Sequence, residues 1–192
     1  KLRINHRGVL SALCRKVGLE GSAEGDFLRI LDKLDKIGEE KFRQEVSGIP
    51  GLDASGLDSV LAVVLDASSD PREVLSHIEK NLGSDDLATS AIQRMTEILD
   101  IVEAAGIGKY CQIDPAIARG LSYYTGLVYE TFLDDLPQVG SVMSGGRYDD
   151  LVGMFSGKEL PAIGISLGID RLFYALSEMG LIETSSQPAE VL

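Results

Sequence analysis

Apolar positions in the first 108 residues repeat mostly at the spacing expected of helices. Residues 1–18 predict the end of a strand that leads into a helix capped by Gly18. Three longer patterns predict amphipathic helices, and their apolar positions are Phe27, Ile30, Leu31, Leu34 and Ile37, then Leu57, Val60, Leu61, Val64 and Leu65, and then Ala91, Met95, Ile98 and Val102. Gly38 and Gly106 are expected to end the first and the last of these helices.

A further helix is indicated by its start. Asp70 is a good N-cap residue, Pro71 suits the first helical position, and Glu73 suits the first turn. Residues 20–108 are therefore predicted to form a small subdomain made of helices.

Strand patterns replace the helical ones after Gly108. The predicted elements are a strand over 127–133, a turn over 134–137, a returning strand over 138–144, a short helix over 147–155, a buried strand over 162–167 and a helix over 169–179. Gly145 and Gly146 are expected to break the returning strand.

The charge of the chain is concentrated in the helical segment. Of a net charge of −12, residues 20–108 carry −11, from 8 basic and 19 acidic side chains. Nucleic-acid-binding domains usually carry a basic patch or stripe, so this balance argues against a generic nucleic-acid binder. The contrast in net charge between residues 20–108 and the rest of the chain also indicates that the chain has two regions.

Composition narrows the class of protein further. No apolar run approaches the roughly 20 residues that span a bilayer, and the first five residues lack the apolar core of a signal peptide. Cys14 and Cys111 stand far apart without a CxxC pair, so neither a disulfide framework nor a metal site is predicted. A reducing, cytoplasmic compartment is expected. His6 and His77 each stand alone and are interpreted as surface or core histidines.

Three segments combine glycine with arginine or tyrosine, and each has two interpretations. Residues 118–126 contain Arg119, Tyr123 and Tyr124, and they form either a turn with packed aromatics or an anion clamp. Of two adjacent tyrosines on a strand, only one is expected to line the same pocket as its neighbours. Residues 144–151 are either an ordinary strand-to-helix turn or a site where Gly145 and Gly146 let a ligand approach the backbone.

The third segment, residues 164–172, carries alternate glycines, Gly164 and Gly168, on a strand. These glycines leave a flat surface for a planar ring, and Arg171 is placed to reach a phosphate. The alternative is a closely packed junction of strand and helix. The chain contains no GxxxxGK[ST] phosphate loop.

Together the three segments resemble histidyl-tRNA synthetases, which are class II aminoacyl-tRNA synthetases. Residues 119–126 look like the family's histidine signature RGLDYYTG, residues 145–151 like its GGRYDGL element, and residues 164–171 like the third class II motif. The resemblance implies an α+β fold, with part of a mainly antiparallel sheet flanked by helices. It divides the chain into a partial catalytic core (1–19 and 109–183), a helical insertion (20–108) and a linker with the start of an anticodon-binding domain (184–192).

The resemblance also implies an activity. The family joins histidine to ATP, giving histidyl-adenylate and pyrophosphate, and then passes the histidyl group to tRNA(His). Arg119 is expected to bridge the histidine carboxylate and the α-phosphate, with Tyr123, Tyr124 and Tyr148 in the histidine pocket. The nucleotide is expected at Gly146, Gly164, Gly168 and Arg171, together with Mg²⁺. A homodimer is implied for the full-length parent.

The sequence departs from the family pattern in several places. Ser122 replaces an Asp, Asp150 replaces a Gly, and Asp170 replaces the Glu of the third motif. The first and second class motifs have no counterpart here, so this chain is expected to be inactive alone. The alternatives are a catalytically idle paralogue like the regulatory subunit of ATP phosphoribosyltransferase, and an α+β binding module without an enzymatic parent.

Overall fold

The computed structural model describes residues 1–65, 68–118, 123–158 and 160–182. Five strands in these residues form one sheet in the order β2-β1-β3-β4-β5. They are β1 (Leu2–His6), β2 (Cys111–Ile113), β3 (Leu127–Thr131), β4 (Met143–Tyr148) and β5 (Ala162–Leu167). The described helices are α1 (Arg7–Lys16), α2 (Ser22–Leu31), α3 (Leu34–Val46), α4 (Ala54–Val64), α5 (Pro71–Leu82), α6 (Asp86–Ala104), α7 (Gly153–Ser156) and α8 (Ile169–Glu178), with 3-10 turns at Gly108–Tyr110 and Pro137–Val139.

The sheet is mainly antiparallel. Strand β1 lies parallel to β2, whereas the pairs β1–β3, β3–β4 and β4–β5 are antiparallel. Most helices are segregated from the strands along the chain, because α1 to α6 all fall between β1 and β2. The α+β fold class is confirmed.

The pairing register divides the sheet into two faces, because successive side chains of a strand point to opposite sides. One row across the sheet joins Ile4, Tyr129, Gly145 and Ile165, and we call this side the helix face. The next row joins Asn5, Val128, Gly146 and Gly164 on the opposite side, which we call the site face.

The hydrophobic core lies between the helices and the helix face. It is one continuous cluster that runs from Ile4 through residues of α1 to α6 to Ala118, with Tyr129 packed against it. Its largest fully buried side chains include Phe27 and Phe42, whose rings meet edge to face at 6.0 Å. The helical segment therefore shares its core with α1 and β1. The boundaries predicted at residues 20 and 108 stay predictions.

Several helix starts follow their local sequence. As predicted, Asp70 caps α5, because its side chain accepts a hydrogen bond from the backbone N–H of Arg72. Pro71 occupies the first helical position. Asp85 caps α6 in the same way. His6 caps α1, because its Nδ1 accepts from the N–H of Gly8 at 3.0 Å.

Three local predictions were wrong. The helix expected over Phe27–Ile37 ends at Leu31, and a new helix, α3, begins at Leu34 and has a non-helical kink at Gly38. Gly145 and Gly146 do not break a strand, since they lie in the middle of β4, and the helix expected over 147–155 covers only Gly153–Ser156. Paired strands on both sides of β4 satisfy its backbone groups and override the local preference of a glycine pair.

The prediction that β5 is buried was also wrong. Ile163 and Ile165 on its helix face are 66% and 63% exposed, and Phe173 on α8 is 57% exposed. The helices that cover β1 and β3 leave this edge of the sheet bare in the described part of the chain. Strand β5 has the apolar pattern of a strand that faces a core, but no element in the described part of the chain covers it.

His6 leads to a prediction about pH. Burial, and then the charges of Arg147 and Arg94, lower the pKa of His6 from 6.5 to about 4. The unfolded chain therefore takes up a proton near pH 6.5, while the folded chain does so only near pH 4. The stability that depends on neutral His6 is complete above pH 6.5 and is lost as the pH falls toward 4, at up to about 1.4 kcal/mol per pH unit.

We expect His6→Asn, which keeps a capping acceptor but does not titrate, to remove this part of the pH dependence. Urea unfolding of both proteins at several pH values between 7 and 5 measures the effect. The two free energies of unfolding should converge as the pH falls, and parallel curves would contradict the assignment.

Candidate functional site

Three tyrosines gather at one end of the site face. Tyr123 and Tyr124 lie in the turn before β3, and Tyr148 ends β4. The rings of Tyr123 and Tyr124 are 4.5 Å apart, and they lie 6.0 and 6.3 Å from the ring of Tyr148. The expectation that only one of the adjacent tyrosines joins the group was wrong, because the pair is not in a strand and does not alternate between faces.

Two glycines form the floor under these rings. Gly146 of β4 pairs with Gly164 of β5. A Cβ on Gly146 would lie 2.6 Å from the carbonyl oxygen of Leu127 and 2.8 Å from the ring of Tyr124, and one on Gly164 would lie 2.7 Å from the hydroxyl of Tyr148. Glycine is required at Gly146, because backbone blocks any side chain there, whereas a side chain at Gly164 would displace the ring of Tyr148 from the sheet.

Gly145 has a structural role that the sequence did not indicate, which is to make room for Tyr129. Its missing side chain makes room on the opposite, helix face, where an added Cβ would lie 2.6 Å from the hydroxyl of Tyr129. Tyr129 donates a hydrogen bond to the carbonyl of Gly164 at 3.0 Å. The alternation of strand residues is the signal that separates Gly145 from Gly146, but it becomes usable only once both are known to lie in one strand.

The tyrosine group is partly shielded from water. Burial raises the pKa of Tyr124 above its ordinary value, and its hydrogen bond with Tyr123 and the nearby Tyr129 and Tyr148 add to the shift. Burial also raises the pKa of Tyr129. The hydroxyl of Tyr124 therefore stays protonated at neutral pH and is available as both donor and acceptor.

Two residues that the sequence left without a role tie this end of the site together. Thr125 donates from its hydroxyl to Asp149 Oδ2 at 2.8 Å, and it accepts from the backbone N–H of Asp149 at 3.1 Å. Arg147 donates from Nε to the same carboxylate at 2.9 Å. The Thr125 hydrogen bond, followed by Arg147, lowers the pKa of Asp149. The carboxylate is therefore ionised at neutral pH.

Arg171 lies at the other end of β5. Gly168 follows Gly164 by four positions, which corresponds to about 13 Å along a strand. Arg171 follows in the first turn of α8, where its Nη1 donates to the carbonyl of Ser141 at 2.5 Å. It lines a cavity of about 690 Å³ with Arg3 and Glu130. Gly168 is not required by contact, since a Cβ there would meet its nearest neighbour at 3.4 Å.

Arg119 and Ser122 lie outside the described residues. The backbone just before them is held by Asn5, which is fully buried and donates from Nδ2 to the carbonyls of Pro115 and Ile117 at 3.1 and 3.0 Å. Asp150 and Asp170, the other two departures from the family pattern, are exposed. Within the described ranges, no group of three or more acidic, histidine or cysteine side chains is arranged to hold a metal ion.

The comparisons with known proteins agree with one another. Residues 1–172 match the family model described as histidyl-tRNA synthetase. The chain is 41% identical over 191 residues to the histidine–tRNA ligase of Rhodopirellula baltica, a match that covers 99% of this chain and 43% of the relative. It is 38% identical to that of Treponema denticola, with 100% and 43% covered. The chain thus spans less than half the length of these curated relatives.

Solved structures give the same result. A histidyl-tRNA synthetase from Nostoc sp. PCC 7120 is 33% identical with a TM-score of 0.85, covering 95% of this chain and 43% of that one. A protein from Bacillus halodurans, described as an ATP phosphoribosyltransferase regulatory subunit/histidyl-tRNA synthetase, is 25% identical with a TM-score of 0.75, covering 92% and 44%.

The glycine floor leads to a prediction. We expect Gly146→Ala to displace the ring of Tyr124 and to lower stability by about 1–3 kcal/mol, the usual cost of overpacking. Gly25→Ala is the control, because Gly25 lies in α2 with nothing within 4 Å of an added Cβ. The chain contains no tryptophan, so near-UV circular dichroism reports largely on its six tyrosines. An unchanged tyrosine signal in Gly146→Ala would show that the ring does not rest on the floor.

Proposed function

The chain belongs to the histidyl-tRNA synthetase family, and we propose that it is part of a histidine–tRNA ligase. In this proposal histidine and ATP react at the site face to give histidyl-adenylate and pyrophosphate, and the histidyl group then passes to tRNA(His). The observation that carries the proposal is the arrangement of three tyrosines over a glycine floor at one end of β5 and an arginine at the other.

The tyrosine end suits the amino acid. An imidazole ring is planar and carries one donor and one acceptor nitrogen in its neutral form. Tyr123, Tyr124 and Tyr148 offer ring faces for stacking and hydroxyl groups for hydrogen bonding. The raised pKa of Tyr124 keeps its hydroxyl neutral beside such a ligand. We therefore assign these three residues to the histidine pocket.

The strip between the two ends suits the nucleotide. Gly164 is partly exposed, and about 13 Å separates it from Gly168, a length comparable with a nucleotide triphosphate laid along the strand. Gly146, which the resemblance also assigns to the nucleotide, is buried against the ring of Tyr124. Arg171 is assigned to the outer phosphates. Mg²⁺ is expected to arrive with ATP, where it would neutralise phosphate charge.

Arg119 is assigned the central electrostatic role on the strength of its sequence position. A guanidinium between the histidine carboxylate and the α-phosphate holds both reactants in line and stabilises charge that develops on phosphorus. The reaction needs little other chemistry from the protein, because carboxylate is already the nucleophile and pyrophosphate the leaving group.

The remaining partners and the compartment are proposed from the family. The acceptor is tRNA(His), the complete protein is a homodimer, and the cytoplasm is the site of action because protein synthesis takes place there. In the described residues, no helix is long and apolar enough to cross a membrane.

A second candidate is a regulatory paralogue without ligase activity. It is favoured by the similarity to the Bacillus halodurans protein and by Asp170, which replaces the Glu of the third motif. Histidine-dependent exchange of pyrophosphate into ATP by the complete protein separates the two, because a catalytically idle paralogue would not carry it out.

Arg119 provides the test of the mechanism, made in the complete protein. We expect Arg119→Ala to lower kcat for adenylate formation by about 10² or more, with a smaller loss of histidine affinity. Arg119→Lys should restore little activity, because an ammonium group cannot reproduce a two-oxygen fork. Measuring kcat and melting temperature together separates this role from that of a structural arginine, for which stability falls, turnover stays near normal and Lys restores function.

This chain alone is expected to show little or no histidine-dependent ATP–pyrophosphate exchange. Its sequence holds no counterpart of the second class motif, whose arginine grips the α-phosphate, and losing one such donor typically costs about 10²–10³ in rate. A full-length histidine–tRNA ligase is the positive control. Robust exchange by the chain alone would mean that its own residues supply the missing charge.

A further inference from the structure

Thr125 and Asp149 form a closed pair of hydrogen bonds across 24 positions of the sequence. The Thr125 hydroxyl donates to the Asp149 carboxylate at 2.8 Å and accepts from the Asp149 backbone N–H at 3.1 Å. The Thr125 backbone N–H adds a third bond, to the carbonyl of Arg147 at 3.0 Å. Three hydrogen bonds therefore join Thr125 to Arg147 and Asp149.

The pair lies next to the tyrosines. Thr125 directly follows Tyr124, and Asp149 directly follows Tyr148. The regular ladder between β3 and β4 ends at Val128 and Gly146, so neither tyrosine is fixed by pairing between these two strands. Beyond that point, the bonds of Thr125 to Arg147 and Asp149 hold the turn of Tyr124 against the end of β4.

The charge on Asp149 determines which group donates and which accepts in each hydrogen bond of the pair. The Thr125 hydrogen bond and Arg147 keep the pKa of Asp149 below its usual range, so at neutral pH its carboxylate can only accept hydrogen bonds. The Thr125 hydroxyl must then donate to the carboxylate, which leaves its lone pairs for the Asp149 N–H. A hydrogen bond to an ionised acceptor is also stronger than one between neutral groups.

We propose that Thr125 and Asp149 are positioning residues, which set the distance between Tyr124 and Tyr148 and so shape the histidine pocket. Neither residue touches the substrate in this proposal. Their effect passes through the rings, which lie 6.3 Å apart over Gly146 and Gly164. The expected change in KM for histidine rests on the proposed function, whereas the expected movement of the tyrosine rings does not.

Two variants of Thr125 separate the hydroxyl from the methyl group. Thr125→Val keeps the shape and loses both side-chain hydrogen bonds, whereas Thr125→Ser keeps the hydroxyl and loses the methyl. In the complete protein we expect Thr125→Val to raise KM for histidine about tenfold or more, the usual effect of losing a hydrogen bond to a charged group. KM for ATP should change much less, and Thr125→Ser should stay near the wild type.

A stability control is needed, because Thr125→Val also removes native hydrogen bonds. Val60→Ala truncates a fully buried residue of α4, outside the segments that carry the tyrosines of the site. It should lower the melting temperature without raising KM for histidine. If Val60→Ala raises KM as much as Thr125→Val does, or if Thr125→Ser is as impaired as Thr125→Val, the positioning role is overturned.

A second readout uses this chain and does not depend on activity. Near-UV circular dichroism should change in Thr125→Val, because the rings of Tyr123, Tyr124 and Tyr148 move relative to one another, and it should be retained in Thr125→Ser and Val60→Ala. An unchanged signal in folded Thr125→Val overturns the inference. Failure of the proposed function would give a different result from failure of the positioning role. The complete wild-type protein would then lack histidine-dependent exchange, but Thr125→Val would still change the near-UV circular dichroism of this chain.

Discussion

The close approach of tyrosine rings to the backbone of β4 and β5 is the constraint on which the site depends. It requires glycine at Gly146, where any side chain would collide with the backbone of Leu127 and the ring of Tyr124. It also depends on Gly164, where an added side chain would displace Tyr148. It also requires that the turn before β3 return to the end of β4, which the hydrogen bonds of Thr125 secure. Loss of either condition would separate the rings.

The division of the sheet into two faces makes this arrangement possible. The helix face buries Ile4 and packs Tyr129 against one core that includes α1 to α6, while the three tyrosines of the site gather on the other face. Strand β1 also reaches across to the site side, because the amide of Asn5 fixes the backbone at Pro115 and Ile117. A polar side chain that is fully buried and bonded in this way favours one arrangement over others.

The other edge of the sheet behaves differently. Ile163, Ile165 and Phe173 combine an apolar pattern with high exposure, which is unusual for a surface that remains in contact with water. The chain spans less than half the length of its curated relatives, and within the described residues no element covers this edge. Stability and self-association measured on this chain therefore describe a partly uncovered sheet.

The sequence by itself determined much of the local structure and the family. The cap at Asp70, the strand and helix at Ala162–Leu167 and Ile169–Glu178, and the three motif segments all follow from short-range patterns, because caps, periodicity and motifs are properties of neighbouring residues. The tertiary structure decided the rest. Gly145 and Gly146 stay in a strand because β3 and β5 pair with it, and the tyrosines of two distant segments meet because Thr125 bonds to Asp149. Strand pairing and hydrogen bonds of this kind join residues that lie far apart along the chain, so they cannot be predicted from a local sequence pattern.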